Sequence, residues 1–300
     1  MQYVYSILRG KDLETGEFSE ERRLAQFDEL KAAQTKTLDL TNWHEFLKAL
    51  MQDGFRSNDM ITSNIGLLYA YVTFLIGKYQ FNLKLSDLRD ITARWFFMTA
   101  ITGRYTNSPE SVMESDLAKL RSVKDAKEFI STLDNVIKNT LTEDYWNITL
   151  VNALETSSAR TPVLFAYYAA LNLLGANALF SKLQVSQMLD PAIKSKKSAV
   201  EKHHLFPRAH LKSLQITEVR QVNQIANFAL VEWSDNIAIK DKAPFLECAL
   251  YKDNPTELEL LMQWHALPDG WEKMEYDEFL GRRRSLIAGV IRRGVEKLFG

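Results

Sequence analysis

The sequence predicts a mainly α protein with a small α+β part toward its C-terminal end. Three observations carry this. Apolar residues recur at three- and four-residue steps through the first two-thirds of the chain. The period-two alternation of a half-buried strand is almost absent there. After Pro191 the pattern changes: a short, lysine-bearing linker over 194–202 precedes two brief runs of strand character, near His204–Phe206 and Phe228–Trp233.

Helices are expected first over 21–35, 42–54 and 60–79. The third covers a long uncharged stretch between Asp59 and Lys78. That stretch holds Thr62, Ser63, Asn64, Tyr69, Tyr71 and Thr73, so it reads as a buried helix; a membrane span takes about 20 mostly apolar residues. Ser86 is the expected cap of the next helix, with Leu88, Ile91, Trp95 and Met98 along one side and Gly103 as its stop. Asn107-Ser108-Pro109-Glu110 starts another: Ser108 as cap, Pro109 at the first helical position, a carboxylate near the positive end of the dipole. Further helices are expected over 123–139 and 161–182. Near the end, Tyr276, Phe279, Leu280, Leu286, Ile287, Val290 and Ile291 make one apolar stripe, with Arg282 to Arg284 largely off it. Trp95, Trp146, Trp264 and Trp271 are expected in the core, Cys248 is expected to be buried, and His265, next to Trp264 and Pro268, is expected to pack against the C-terminal domain.

The composition excludes several classes. Of 300 residues, 46% are hydrophobic and 25% charged, which fits an ordinary globular chain and not a disordered, collagen-like or coiled-coil one. One cysteine excludes a disulfide framework and a four-cysteine zinc site. Met1 to Gly10 lack a basic segment followed by an apolar core, so neither a secretory signal nor a membrane partner is expected and the cytoplasm is the expected compartment. The net charge of −1 hides an asymmetry: residues 191–242 hold nine basic and five acidic side chains, a local +4. Such a segment suits a confined phosphate-binding face, and a solvated loop equally well.

Four of the five histidines fall in the last third, and two are adjacent in Glu201-Lys202-His203-His204-Leu205-Phe206-Pro207-Arg208. Asn227 follows in an apolar run, then Asn236, then Lys240 and Lys242. A phosphodiester hydrolase needs a base for water, positive charge for the developing oxyanion and basic side chains for the backbone. Adjacent residues of a strand point to opposite sides, so one imidazole can hold a metal while its neighbour faces a water. Asn236 supplies an oxygen that can complete a metal site with His203, and equally suits a helix cap. Asn227 suits a side chain that bonds nearby backbone and fixes a tight loop. Arg208, Lys240 and Lys242 are candidates for holding the nucleic-acid backbone. His210 reads as structural or phosphate-facing, and Glu201 as solvated.

His203-His204, Asn227, Asn236 and the lysines behind them resemble the HNH (ββα-metal) nuclease motif in its His-Asn-Asn form. The resemblance implies a β-hairpin followed by a helix around one divalent metal, with His203 and Asn236 as ligands, His204 as general base and Asn227 holding the loop and orienting the base. A wider likeness covers Arg94-Trp95-Phe96-Phe97, Arg104-Tyr105-Thr106, Ser108 to Ser111, Asp116-Leu117, His203 to Arg208 and Trp264 to Pro268, with Phe279-Leu280 and Arg282-Arg283. Those segments resemble the C-terminal half of GmrSD-type modification-dependent restriction proteins. The resemblance implies a helical N-terminal domain, 1–190, joined to an HNH nuclease domain, 191–300. It also implies DNA as partner, a role in restricting foreign or modified DNA, and a separate or missing N-terminal NTP-dependent domain or subunit. The metal is left open among Mg²⁺, Mn²⁺, Ni²⁺ and Zn²⁺, since imidazole favours the last three and Mg²⁺ prefers oxygen shells. Two other readings stay open: a non-catalytic nucleic-acid-binding or partner-docking module on a degenerate HNH fold, and a helical interaction protein that docks an NTPase subunit.

Overall fold

In a computed structural model, residues 15–190, 200–232 and 255–300 of the chain are described. They form helices with a small two-stranded sheet, as the apolar spacing requires. The expected residues Asn236, Lys240, Lys242 and Cys248 and the strand end at Trp233 lie outside the described residues.

The first helices begin on side-chain caps. Ser19 Oγ accepts from Arg22 N–H ahead of α1 (Glu20–Leu38), and Asp39 from Thr41 N–H ahead of α2 (Leu40–Gln52). Ser63 does the same for α3 (Asn64–Tyr79) by accepting from Gly66 N–H. The next helix, α4 (Leu85–Thr102), ends at Gly103 in the left-handed region, φ 59°. Its N-cap position is Lys84, not Ser86: the Ser86 hydroxyl sits inside the first turn and donates to Asp87 Oδ1 at 3.0 Å. Pro109 does open α5 (Pro109–Leu120), but Ser108 has φ 49° and makes no side-chain capping bond. Asp125 caps α6 (Ala126–Thr140). A π-helical turn at Tyr145–Thr149 leads into the short α7 (Leu150–Ala153), a pair the apolar spacing did not announce.

The central element is α8 (Pro162–Leu174). Ten of its thirteen residues are buried, because the run from Val163 to Leu171 carries no charge and has neighbours on every side. It stops at Gly175, φ 68°, rather than running on to 182. The segment beyond turns back on itself, Asn177 bridging to Gln184, before the short α9 (Val185–Met188). The sheet pairs β1 (Val200–His204) with β2 (Phe228–Glu232), and between them lie α10 (Arg208–Ser213) and α11 (Val219–Val222). The strand therefore starts within the stretch expected to be linker and ends before Phe206. Leu179 N–H donates to Leu230 O at 2.8 Å and ties the post-α8 segment to β2.

Two helices close the chain, α12 (Pro255–Trp264) and α13 (Tyr276–Glu296), and α13 lies along α8. Gly294 permits this: a Cβ there would come within 2.7 Å of Ala170 Cβ. The core is one cluster running from Phe46 to Val295, so residues on both sides of position 190 share it. Trp95, Trp146 and Trp271 are buried in it and Trp264 packs against it. No helix among the described residues is long and apolar enough to cross a membrane.

The stripe on α13 differs from expectation at two positions. Leu286 is 42% exposed, whereas Arg283 is fully buried. Spacing explains it: Arg283 is one turn from Phe279 and one turn from Ile287, in the middle of the inward face. Its charge is met by carbonyls. Nε and Nη2 donate to His265 O at 3.2 and 3.0 Å, and Nη1 donates to Ala226 O at 2.6 Å. Tyr276 Oη donates to Gln221 O at 2.9 Å, so α13 grips the segment before β2 twice.

His265 is fully buried beside that guanidinium. Its Nε2 lies 2.9 Å from Asn177 O, so this nitrogen carries the proton, and Nδ1 is buried with no hydrogen-bond partner. Burial first, and then the Arg283 charge, push its pKa down to about 4 from the ordinary 6.5. The unfolded chain therefore takes up this proton first as the pH falls. Stability should be lost between pH 6.5 and pH 4, by on the order of 3 kcal/mol in all. Urea unfolding at pH 7 and pH 5 checks this; His265→Gln should flatten the slope, and an equal slope in that variant would contradict the assignment.

Candidate functional site

The hairpin register sets what each side chain can reach. His204 pairs with Phe228, His203 with Ala229 and Lys202 with Leu230. Directly opposed residues share a face and neighbours alternate. His204, Lys202 and Phe228 accordingly face one side, where the His204 and Phe228 ring centroids are 4.4 Å apart. His203 faces the other side with Ala229, and its side chain is buried.

The His204 face opens into a cleft of about 240 Å³. One wall is Lys202, His204, Arg208, Asn223, Ile225 and Phe228. The opposite wall comes from the helical region: Ser157, Ser158 and Ala159 before α8, then Leu164 and Tyr168 on it. The two walls are fastened by Ile225 N–H donating to Thr156 O at 2.9 Å. No carboxylate among the described residues lines the cleft, while Lys202 and Arg208 do. Desolvation lowers the Lys202 pKa from its ordinary value.

Asn223 joins the histidine to the arginine. Arg208 Nη2 donates to Asn223 Oδ1 at 3.0 Å, and His204 Nε2 is 3.0 Å from the same oxygen. A guanidinium can only donate, which identifies the shared atom as the amide oxygen. The His204 bond then requires a proton on Nε2.

Asn227 is fully buried and spends its amide on backbone. Its Oδ1 accepts from Phe206 N–H at 2.8 Å, and its Nδ2 donates to Phe206 O at 3.1 Å and Val222 O at 3.0 Å. Leu205 N–H donates to Asn227 O at 2.9 Å. The strand leaving His204 is thereby tied to the strand approaching Phe228. Asn227 is a positioning residue, shut away from any ligand in the cleft. His210 is half-buried, its ring centroid 6.0 Å from that of Phe206.

Of the expected metal ligands only His203 is described. No group of three or more His, Cys, Asp or Glu among the described residues could hold a metal ion. One imidazole does not retain a divalent cation, so these residues alone do not make the site. Asn223 and the Ser157–Ala159 wall have no signal in the sequence. Asn223 sits in Gln221-Val222-Asn223-Gln224 with nothing to separate it from a surface amide, and the serine pair looks like any polar loop. Comparison of the chain with protein-family models, curated proteins and solved structures returns no match.

Asn227→Ala should cost about 2–3 kcal/mol, because it leaves Phe206 N–H buried without an acceptor. Chemical denaturation measures this, and a loss below about 0.5 kcal/mol would show that the turn does not need the amide.

Proposed function

We propose that the chain is a metal-dependent DNA endonuclease of the HNH type, hydrolysing phosphodiester bonds in the restriction of foreign or modified DNA. The observation that carries this reading is His204, presented from a hairpin onto the wall of a cleft that Lys202 and Arg208 make basic and no described carboxylate lines. A phosphate diester is drawn to such a wall, and an imidazole there is placed to act on it.

In this reading His204, oriented by its contact with Asn223, takes a proton from a water attacking phosphorus in line. Arg208 and Lys202 lie along the phosphate oxygens as charge grows on them. Asn227 keeps the His204 strand end fixed against the turn before β2. His203 with Asn236 would hold one divalent cation; because the His203 ring is buried on the other face of the strand, it would have to turn toward the His204 side for that charge to serve the phosphate and the departing oxygen. Lys240 and Lys242 would extend the backbone contacts.

Nicking of supercoiled plasmid, read over a panel of Mg²⁺, Mn²⁺, Ni²⁺ and Zn²⁺, tests the proposal. His204→Ala should slow nicking by at least about 100-fold with the urea midpoint unchanged. Undiminished nicking by that variant would remove His204 as the base. DNA binding by the unaltered chain without nicking under any metal would favour the non-catalytic module instead.

A further inference from the structure

The cleft does not end at Arg208. On its far side an open groove of about 320 Å³ is lined by Arg208, Lys212, Ile216, Thr217, Val219 and Val222, and Asn223 belongs to both walls. Across the two depressions, the described lining carries Lys202, Arg208 and Lys212 and no carboxylate. Glu218, next in sequence to two lining residues, is exposed but does not line the groove.

The spacing of the cations is set by one short helix. Arg208 and Lys212 are four residues apart on α10, so they share a face. Their separation along the axis is about 6 Å at 1.5 Å per residue, comparable with the step between successive phosphates of a strand. The floor beside Lys212 is apolar: Ile216, Val219 and Val222, with Val219 68% exposed. An apolar strip with cations along one rim suits a nucleic-acid strand, which offers phosphates on one edge and sugars and bases on the other.

We propose that this groove is a second nucleotide subsite, taking the phosphate next to the one at His204 and laying the adjoining sugar and base on the apolar floor. Arg208 stands between the two phosphates and, through Asn223, is tied to the histidine. The inference rests on the nuclease reading for which phosphate is cut, and on the groove itself for what is bound.

The test uses the intact 300-residue chain and a fluorescein-labelled single-stranded DNA of twelve nucleotides, with anisotropy followed through a salt titration in the absence of divalent metal. Lys212→Ala should weaken binding about fivefold or more and reduce the salt slope by roughly one phosphate contact. Lys138→Ala, an exposed lysine on α6, should change neither. Hydrolysis of bis-p-nitrophenyl phosphate, whose single phosphate does not reach the groove, should be the same in Lys212→Ala as in the unaltered chain. Unchanged affinity and salt slope in Lys212→Ala would overturn the subsite. So would an equal loss in Lys138→Ala, or an equal loss of aryl-diester hydrolysis in Lys212→Ala. If the unaltered chain hydrolyses neither diester while Lys212→Ala still weakens DNA binding, the subsite stands and the nuclease reading fails.

Discussion

The turn before β2 is held by polar groups buried on both sides of it. Arg283 reaches in from α13 and donates to the carbonyl of Ala226; the neighbouring residue, Asn227, spends both amide hydrogens and its oxygen on Phe206 and Val222. None of these side chains has solvent to replace a lost partner, and each missing bond would leave a buried group unsatisfied. Among the described residues the sheet has two strands, too little to stand alone in water. Its shape is therefore borrowed from the helices around it: α13 through Arg283 and Tyr276, the post-α8 segment through Leu179, the loop before α8 through Thr156.

That dependence explains why the cleft has two kinds of wall. The hairpin side supplies charge and an imidazole, and the helical side supplies Leu164, Tyr168 and two serines. Neither wall is a site without the other, because the first leaves His204 on an open ribbon. Fastening Ile225 to Thr156 brings the two together on backbone atoms, independently of what the lining side chains are. Variation in the lining could then alter what the cleft accepts without loosening the cleft itself.

Much of this was legible in the sequence, and for identifiable reasons. Helices are written in the spacing of apolar residues and in Gly103 and Pro109, so the existence and order of the long ones can be read, with most ends displaced by a few residues and the end of α8 by eight; the short α7 escapes that reading. Ser86 failed as a cap because the residue before the helix is decided by where the chain turns, which side-chain chemistry alone does not fix. Arg283 was placed off the stripe because its charge outweighed its spacing; only the carbonyls of His265 and Ala226, distant in sequence, show how a guanidinium is accommodated there. The histidine pair and Asn227 stood out because unusual residue types sat at motif spacing. Asn223 did not, because its role comes from two partners, fifteen and nineteen residues away, that only folding brings to one oxygen.

The central claim is that the His204 face, and no other histidine, meets a phosphodiester. With five histidines in the chain, the ring nitrogens are few enough to follow individually by nitrogen-15 NMR. On addition of a thymidine dinucleotide, the account predicts a Nε2-protonated His204 whose ring resonances shift, while those of His265, buried behind Arg283, and of the exposed His44 stay still. Resonances of His204 that do not respond, while another histidine does, would contradict it.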